Sequence, residues 1–152
     1  MDHAALVLDA VRAAAKAVIL PRFRQLDAAE VDRKSSYDDL VTVADTEAEV
    51  MIRDLLSRSW PQVQVTGEEG VAADPAMRAA MAGAGWKVIV DPIDGTWNFA
   101  KGLATFGVIA AVAEAGRLGY GLLYDPLGDD WIEARAGAPA QMVRADGSRR
   151  RL

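Results

Sequence analysis

The sequence predicts an α+β fold: two N-terminal helices packed on a mostly antiparallel sheet. Three observations carry this. Apolar residues recur at helical spacing through roughly the first 60 positions. From Gln62 onward they alternate or run continuously in short segments, as strands do. Helices come first and strands later, which argues against a strictly alternating α/β chain. The chain has 152 residues, of which 51% are hydrophobic and 26% charged, enough to bury one core, so 1–152 reads as a single domain.

The elements follow in order. Leu8, Val11, Ala15, Val18 and Ile19 share one helical face. A helix is therefore expected from about Asp2, kinked or ended at Pro21, with 22–26 as an extension past the kink. The polar stretch 32–39 reads as a loop. A second helix is expected over Val43–Ser59, with Val50, Met51 and Leu55 on one face, Pro61 as the stop and a capping-box spacing from Thr42 to Asp45. Residues 62–66 alternate strictly and predict a strand. Asp74-Pro75 opens a short helix that Gly83 and Gly85 close. Residues 86–90 form a nearly continuous apolar run, the mark of a buried strand. Three strands follow at 106–114, 117–124 and 131–136. The turn sequences "EAGR" and "DPLGDD" join them into an antiparallel meander.

Composition narrows the function. The net charge is −5, and the longest basic run is Arg149-Arg150-Arg151. This argues against a nucleic-acid partner, which calls for a broad positive surface. There is no cysteine, hence no disulfide, zinc-thiolate site or cysteine nucleophile, in keeping with a cytoplasmic location. No apolar stretch approaches the ~18 residues of a membrane span, and the N-terminus lacks the basic flank of a signal peptide.

The chemistry is concentrated in "VDPIDGTWNF". Asp91 ends an apolar strand, Pro92 stiffens the turn, and Asp94 follows three residues later, so both carboxylates can be aimed at one point. Hard divalent cations are held by such carboxylates together with phosphate oxygens. Glu68-Glu69 follows the preceding strand, and Glu68 reaches the same ridge as Asp91 if the two strands are neighbours. Gly95 allows close approach of a phosphate to the backbone, and Thr96 adds a hydroxyl. Together these donors suit phosphate-ester hydrolysis. Each motif alone has a plainer reading. D-P-x-D-G-T is an ordinary turn, "GEEG" a solvated loop, Asp45 a helix cap, His3 a solvated terminal residue, and the four tryptophans packing.

The ordered set of "KSSYDDLVTVADTEAE", "GEEG" and "VDPIDGTWNF" resembles the inositol monophosphatase family, the lithium-sensitive, magnesium-dependent phosphatases. The resemblance implies the N-terminal half of that layered fold and a Mg²⁺ cofactor, with Mn²⁺ as a substitute. It implies metal ligation by Glu68, Asp91, the Ile93 carbonyl and Asp94, and phosphate binding by Gly95 and Thr96. Asp45 and Thr96 would activate water, forming the catalytic set with Glu68, and Lys34 and Glu69 would support the site. The implied substrate is a small polyol or sugar phosphate such as inositol 1-phosphate, and the full-length family is expected to be homodimeric. "TWNF" leans to the inositol-phosphate branch. The chain departs from the family pattern at Trp97, where a small residue is usual, and at Pro139, where glycine is usual. The W-D motif of the family's second half is absent, so the sequence reads as an N-terminal half whose sheet is expected to carry an apolar edge or face. Two alternatives stand beside this. An inactive half-domain would bind metal weakly or associate with another chain. A haloacid-dehalogenase-type phosphatase would need its aspartates two residues apart rather than three.

Overall fold

Asp2 opens the first helix. Its carboxylate accepts hydrogen bonds from the Ala4 and Ala5 amides at 3.1 and 3.3 Å, satisfying amide groups that a helix start leaves without partners. In the computed structural model, which describes residues 2–34, 40–81 and 83–152, α1 spans His3–Ala14. It widens into a π turn over Ala15–Ile19 and closes as α2, Leu20–Arg22. Pro21, which has no N–H to give one turn back, lies in this closing turn, and the helix ends one residue after it. Most of the loop expected at 32–39 lies outside the described residues. Its flanks pair as a short antiparallel hairpin of β1, Val31–Arg33, and β2, Leu40–Thr42. Three-residue strands are too short to show alternation, so this hairpin leaves no pattern in the sequence.

The second long helix, α3, spans Val43–Ser59 as expected, and Thr42 and Asp45 form a reciprocal capping box. Its inward face differs from the expected one. Ala44, Asp45, Ala48, Glu49, Ile52 and Leu56 are buried, whereas Val50 is 48% exposed. Met51 and Leu55 pack half-buried against the core as expected, but two acids sit on the most buried face, so hydrophobicity alone places that face part of a turn away. His3 is another correction. It is not a solvated end residue: its ring stacks on Trp60 at 3.8 Å and meets the edge of Trp86 at 4.4 Å.

Among the described residues, seven strands form one sheet in chain order. They are β3 (Gln64–Gly67), β4 (Trp86–Asp94), β5 (Gly107–Glu114), β6 (Arg117–Asp125), β7 (Asp130–Arg135), β8 (Gln141–Val143) and β9 (Arg149–Arg151). All neighbours are antiparallel except β3 and β4. That parallel pair needs a crossover. The crossover holds α4, Glu68–Ala73, and α5, Met77–Ala80, so "GEEG" starts a helix rather than a solvated loop. The "DPIDGT" turn is also more regular than expected, with β4 continuing to Asp94.

One face of the sheet packs on α1 and α3 through Val88, Val90, Val108, Ala110, Leu122 and Tyr124. Arg12 of α1 adds a bidentate hydrogen bond to Asp129 in the β6–β7 turn, at 2.8 and 2.6 Å. The opposite face carries Ile89, Ile109 and Leu123, 39%, 38% and 43% exposed, which is the apolar face anticipated from the sequence.

The orientation of α3 can be checked directly. Ile52→Ala should cost about 2–5 kcal/mol and Val50→Ala no more than about 0.5 kcal/mol, measured by urea denaturation.

Candidate active site

The parallel register pairs Gly67 with Val90. The next residue on each strand is an acid, so Glu68 and Asp91 emerge side by side at one ridge. The register of β4 with β5 then shifts between Asp91 and Asp94, where Pro92 has no amide to offer the ladder. The Asp91 Oδ1 atom accepts a hydrogen bond from the Ile93 amide at 3.2 Å, which tightens the bulge. Gly95 follows in the left-handed region at φ +88°. A Cβ there would stand 2.9 Å from the Thr105 carbonyl oxygen, so backbone conformation and space both favour glycine. The short helix α6, Thr96–Ala100, starts directly after it. Asn98 Nδ2 donates to the Thr105 carbonyl at 2.7 Å and ties down the loop that leaves this helix.

Asp45 joins the two halves of the site. Its Oδ2 atom accepts from the Thr42 amide at 2.8 Å and from the Thr42 hydroxyl, which is the cap. Its Oδ1 atom accepts from the Thr96 hydroxyl at 3.0 Å, and that hydroxyl also lies 2.9 Å from the Ile93 carbonyl oxygen. The capping and functional readings of Asp45 thus describe one side chain with two sets of partners. Burial raises its pKa above the usual carboxylate value, against the hydrogen bonds from Thr42 and Thr96.

Lys34 approaches from the end of β1. Its ammonium donates to Glu68 at 2.9 Å and to Glu69 at 2.6 Å. Burial works against the charged lysine, but these hydrogen bonds prevail and hold its pKa above the normal range. Burial likewise raises the Glu69 carboxyl against the opposing pull of Lys34. Asp91 is pushed up to about 7, first by burial and then by the charges of Glu68 and Asp94.

The structure therefore brings Glu68, Asp91, Lys34 and Glu69 together and links Asp45 to Thr96 and the Ile93 carbonyl. The acids converge less tightly than expected. Among the described residues, no three acidic side chains stand close enough to grip one cation as they are. Lys34 draws on Glu68, and the bulge separates Asp94 from Asp91. Lys34, Glu68 and Asp91 line an open cleft of about 660 Å³, while Asp94 and Gly95 line another of about 570 Å³.

Sequence reasoning assigned no role to Glu49. It lies one helical turn after Asp45, is 3% exposed, and its carboxylate accepts from the Glu69 amide at 2.8 Å and the Gly70 amide at 3.1 Å. An acid four residues after Asp45 on the same helix face was the available signal.

Residues 3–149 match the inositol monophosphatase family. The chain belongs to that family. The Nus factor SuhB of Salmonella typhimurium is 38% identical over 138 residues, 88% of this chain and 48% of that protein. The Thermotoga maritima IMPase superimposes with a TM-score of 0.78 at 28% identity, covering 93% of this chain and 51% of that one. SaIMPase-II, solved with 2'AMP bound, gives a TM-score of 0.70 at 25% identity, covering 93% and 48%. The chain spans about half the length of the curated relatives it matches. These likenesses agree with the expected α+β layering, and the family signature falls on the β4 bulge and α6.

The raised carboxyl pKa values give the site a pH signature. Asp91 binds its proton more tightly folded than unfolded, with a folded value of about 7 against an ordinary 3.8. Its contribution to stability is complete at low pH and is lost as pH rises from about 4 to about 7, and the upward shifts of Asp45 and Glu69 act in the same direction. Without divalent cations the Tm should fall by several degrees between pH 4.5 and 7.5. Asp91→Asn should flatten most of that slope in calorimetric scans.

Proposed function

We infer that this chain carries the metal- and phosphate-binding half of a Mg²⁺-dependent phosphomonoesterase acting on a polyol or sugar phosphate such as inositol 1-phosphate. The observation that carries the reading is the ridge where Glu68, Asp91 and Asp94 concentrate negative charge, with Asp91 held at about 7 by burial and by its neighbours. Lys34 pairs with Glu68 and Glu69 and leaves Asp91 among like charges, and carboxylate oxygens are the donors that Mg²⁺ prefers. Glu68, Asp91 and the Ile93 carbonyl would hold a first ion, and Asp91 with Asp94 would contribute to a second. To hold the first ion, Glu68 would give up its contact with Lys34. Mg²⁺ bound there would neutralise the phosphate and make water easier to ionise.

The remaining work falls to side chains on the page. The Thr96 hydroxyl donates to Asp45 and keeps lone pairs with which to accept a hydrogen from water. As that water attacks phosphorus, its proton passes to Thr96 Oγ1 while the Thr96 proton moves to Asp45 Oδ1; the bond from phosphorus to the ester oxygen breaks, and the departing polyol or sugar oxygen takes a proton from solvent water. Asp45 suits this role because burial makes its carboxylate a stronger base than an exposed one. Gly95 leaves the backbone open beside Thr96 for phosphate oxygens.

Residues 1–152 present an incomplete donor set for two ions, so calorimetry with Mn²⁺ should show at most one site, abolished by Asp91→Asn. Turnover of inositol 1-phosphate by residues 1–152 alone should be slight. Fusion to a family-type second half should restore Mg²⁺-dependent turnover, and Thr96→Ala or Asp94→Asn in that fusion should lower kcat at least a hundredfold with little loss of folding. 2'AMP is the comparison substrate, because SaIMPase-II was solved with it bound. Two tight, equal Mn²⁺ sites on residues 1–152 would contradict the assignment.

A further inference from the structure

We propose that Glu49 is a positioning residue for Glu68: a buried carboxylate on α3 that fixes the start of α4 and thereby the place of the acid beside Asp91. Its consequence for metal binding rests on the reading above, in which Glu68 is a ligand; the positioning itself does not.

The argument begins with a missing cap. α4 starts after Gly67, a residue with no side chain to receive the first amides of the helix, and no side-chain bond is made from that position. Glu49 supplies the acceptor from a different helix. Its Oε2 atom takes the Glu69 amide at 2.8 Å, its Oε1 atom takes the Gly70 amide at 3.1 Å, and Oε2 also lies 3.3 Å from Gly70 N. Arg53, one turn along α3, donates to Oε1 and balances the charge.

Two glycines make room for this. A Cβ on Gly67 would overlap the Glu49 carboxyl carbon outright, and one on Gly70 would stand 2.9 Å from Oε1. Both glycines of "GEEG" are thus explained by the carboxylate that lies against them rather than by turn geometry. Glu68 sits between two fixed points. Gly67 is held by its pairing with Val90, and Glu69 by Glu49. Asp45 and Glu49 are four residues apart on the inward face of α3, about 6 Å along its axis. One rigid helix therefore holds Thr96 through Asp45 and Glu68 through Glu49, and sets the spacing between the loops that carry them.

Glu49→Gln keeps the volume but leaves one oxygen for two amides and turns an NH₂ group towards the other. In residues 1–152 it should speed hydrogen exchange of the Glu69 and Gly70 amides at least tenfold while leaving Val90 unchanged, and weaken Mn²⁺ binding at least tenfold by calorimetry. The matched control is Glu133→Gln. Glu133 is also a buried carboxylate, bonded by Tyr120 at 3.2 Å and Arg149 at 2.6 Å, but it lies on β7 away from the acids. Its loss should lower Tm and leave Mn²⁺ affinity unchanged. Unaltered exchange at Glu69 and Gly70 in Glu49→Gln overturns the proposal, as does an equal loss of Mn²⁺ affinity in both variants. If the unsubstituted chain binds no Mn²⁺, the metal reading fails and exchange alone decides the positioning claim. Should Glu49→Gln not fold, Gly70→Ala displaces the same carboxylate more gently and is read in the same way.

Discussion

The single parallel strand pairing, β3 against β4, is the constraint from which the rest follows. An antiparallel partner would carry the residue after Gly67 away from Asp91. The parallel register makes both strands end in the same direction, so the acids that follow them stand on one ridge. It also obliges the chain to cross over between the strands, and the crossover is where α4 forms and where Glu68 is mounted. The antiparallel meander from β5 onward supplies the surface on which β4 is held, and the bulge in β4 leaves Pro92 and Ile93 out of the register before Asp94 pairs with Gly107 and Gly95 turns away.

The second fixed body is α3. Its inward face carries two buried acids, an arrangement that costs stability unless every oxygen is satisfied. Here Asp45 is served by Thr42 and Thr96, and Glu49 by two backbone amides and Arg53. The ridge acids are less well compensated. Lys34 relieves Glu68 and Glu69, while Asp91 remains among like charges. Such crowding of carboxylates lowers the stability of the fold as pH rises towards neutrality.

How much of this was legible in the sequence depended on how local the cause was. The bounds of α3 were readable because Thr42, Asp45 and Pro61 mark them chemically. β4 to β7 were readable because apolar runs separated by strong turn sequences leave few alternatives. The β1–β2 hairpin, β8 and β9 have only three residues per strand, too few for a period to show. The inward face of α3 was read correctly at Met51 and Leu55 but not at Val50, because its most buried positions include Asp45 and Glu49, which bond to partners 51 and 20 residues away. His3 was misread as a solvated end residue for the same reason, since its neighbours Trp60 and Trp86 come from distant elements. At the site, family motifs supplied roles for Glu68, Asp91 and Asp94. The parallel register that sets Glu68 beside Asp91 was only a condition in the sequence, and the Glu49 contact was visible only in three dimensions.

β9 lies at the margin of the sheet and consists of Arg149, Arg150 and Arg151, all exposed. Arg149 is tied to Glu133, which leaves Arg150 and Arg151 to set the character of that margin. A strand margin offers unpaired backbone groups to any other strand that comes alongside, and natural sheets discourage this with positive charge. Two copies approaching margin to margin would bring their arginines within a few ångströms of one another. Repulsion of this kind is screened beyond about 8 Å at physiological ionic strength, and at still shorter range in concentrated salt. The colloidal behaviour of the chain is thereby coupled to its buffer: dilute salt keeps the copies apart, whereas high salt or a polyanion that coats the arginines removes the barrier to strand-by-strand association.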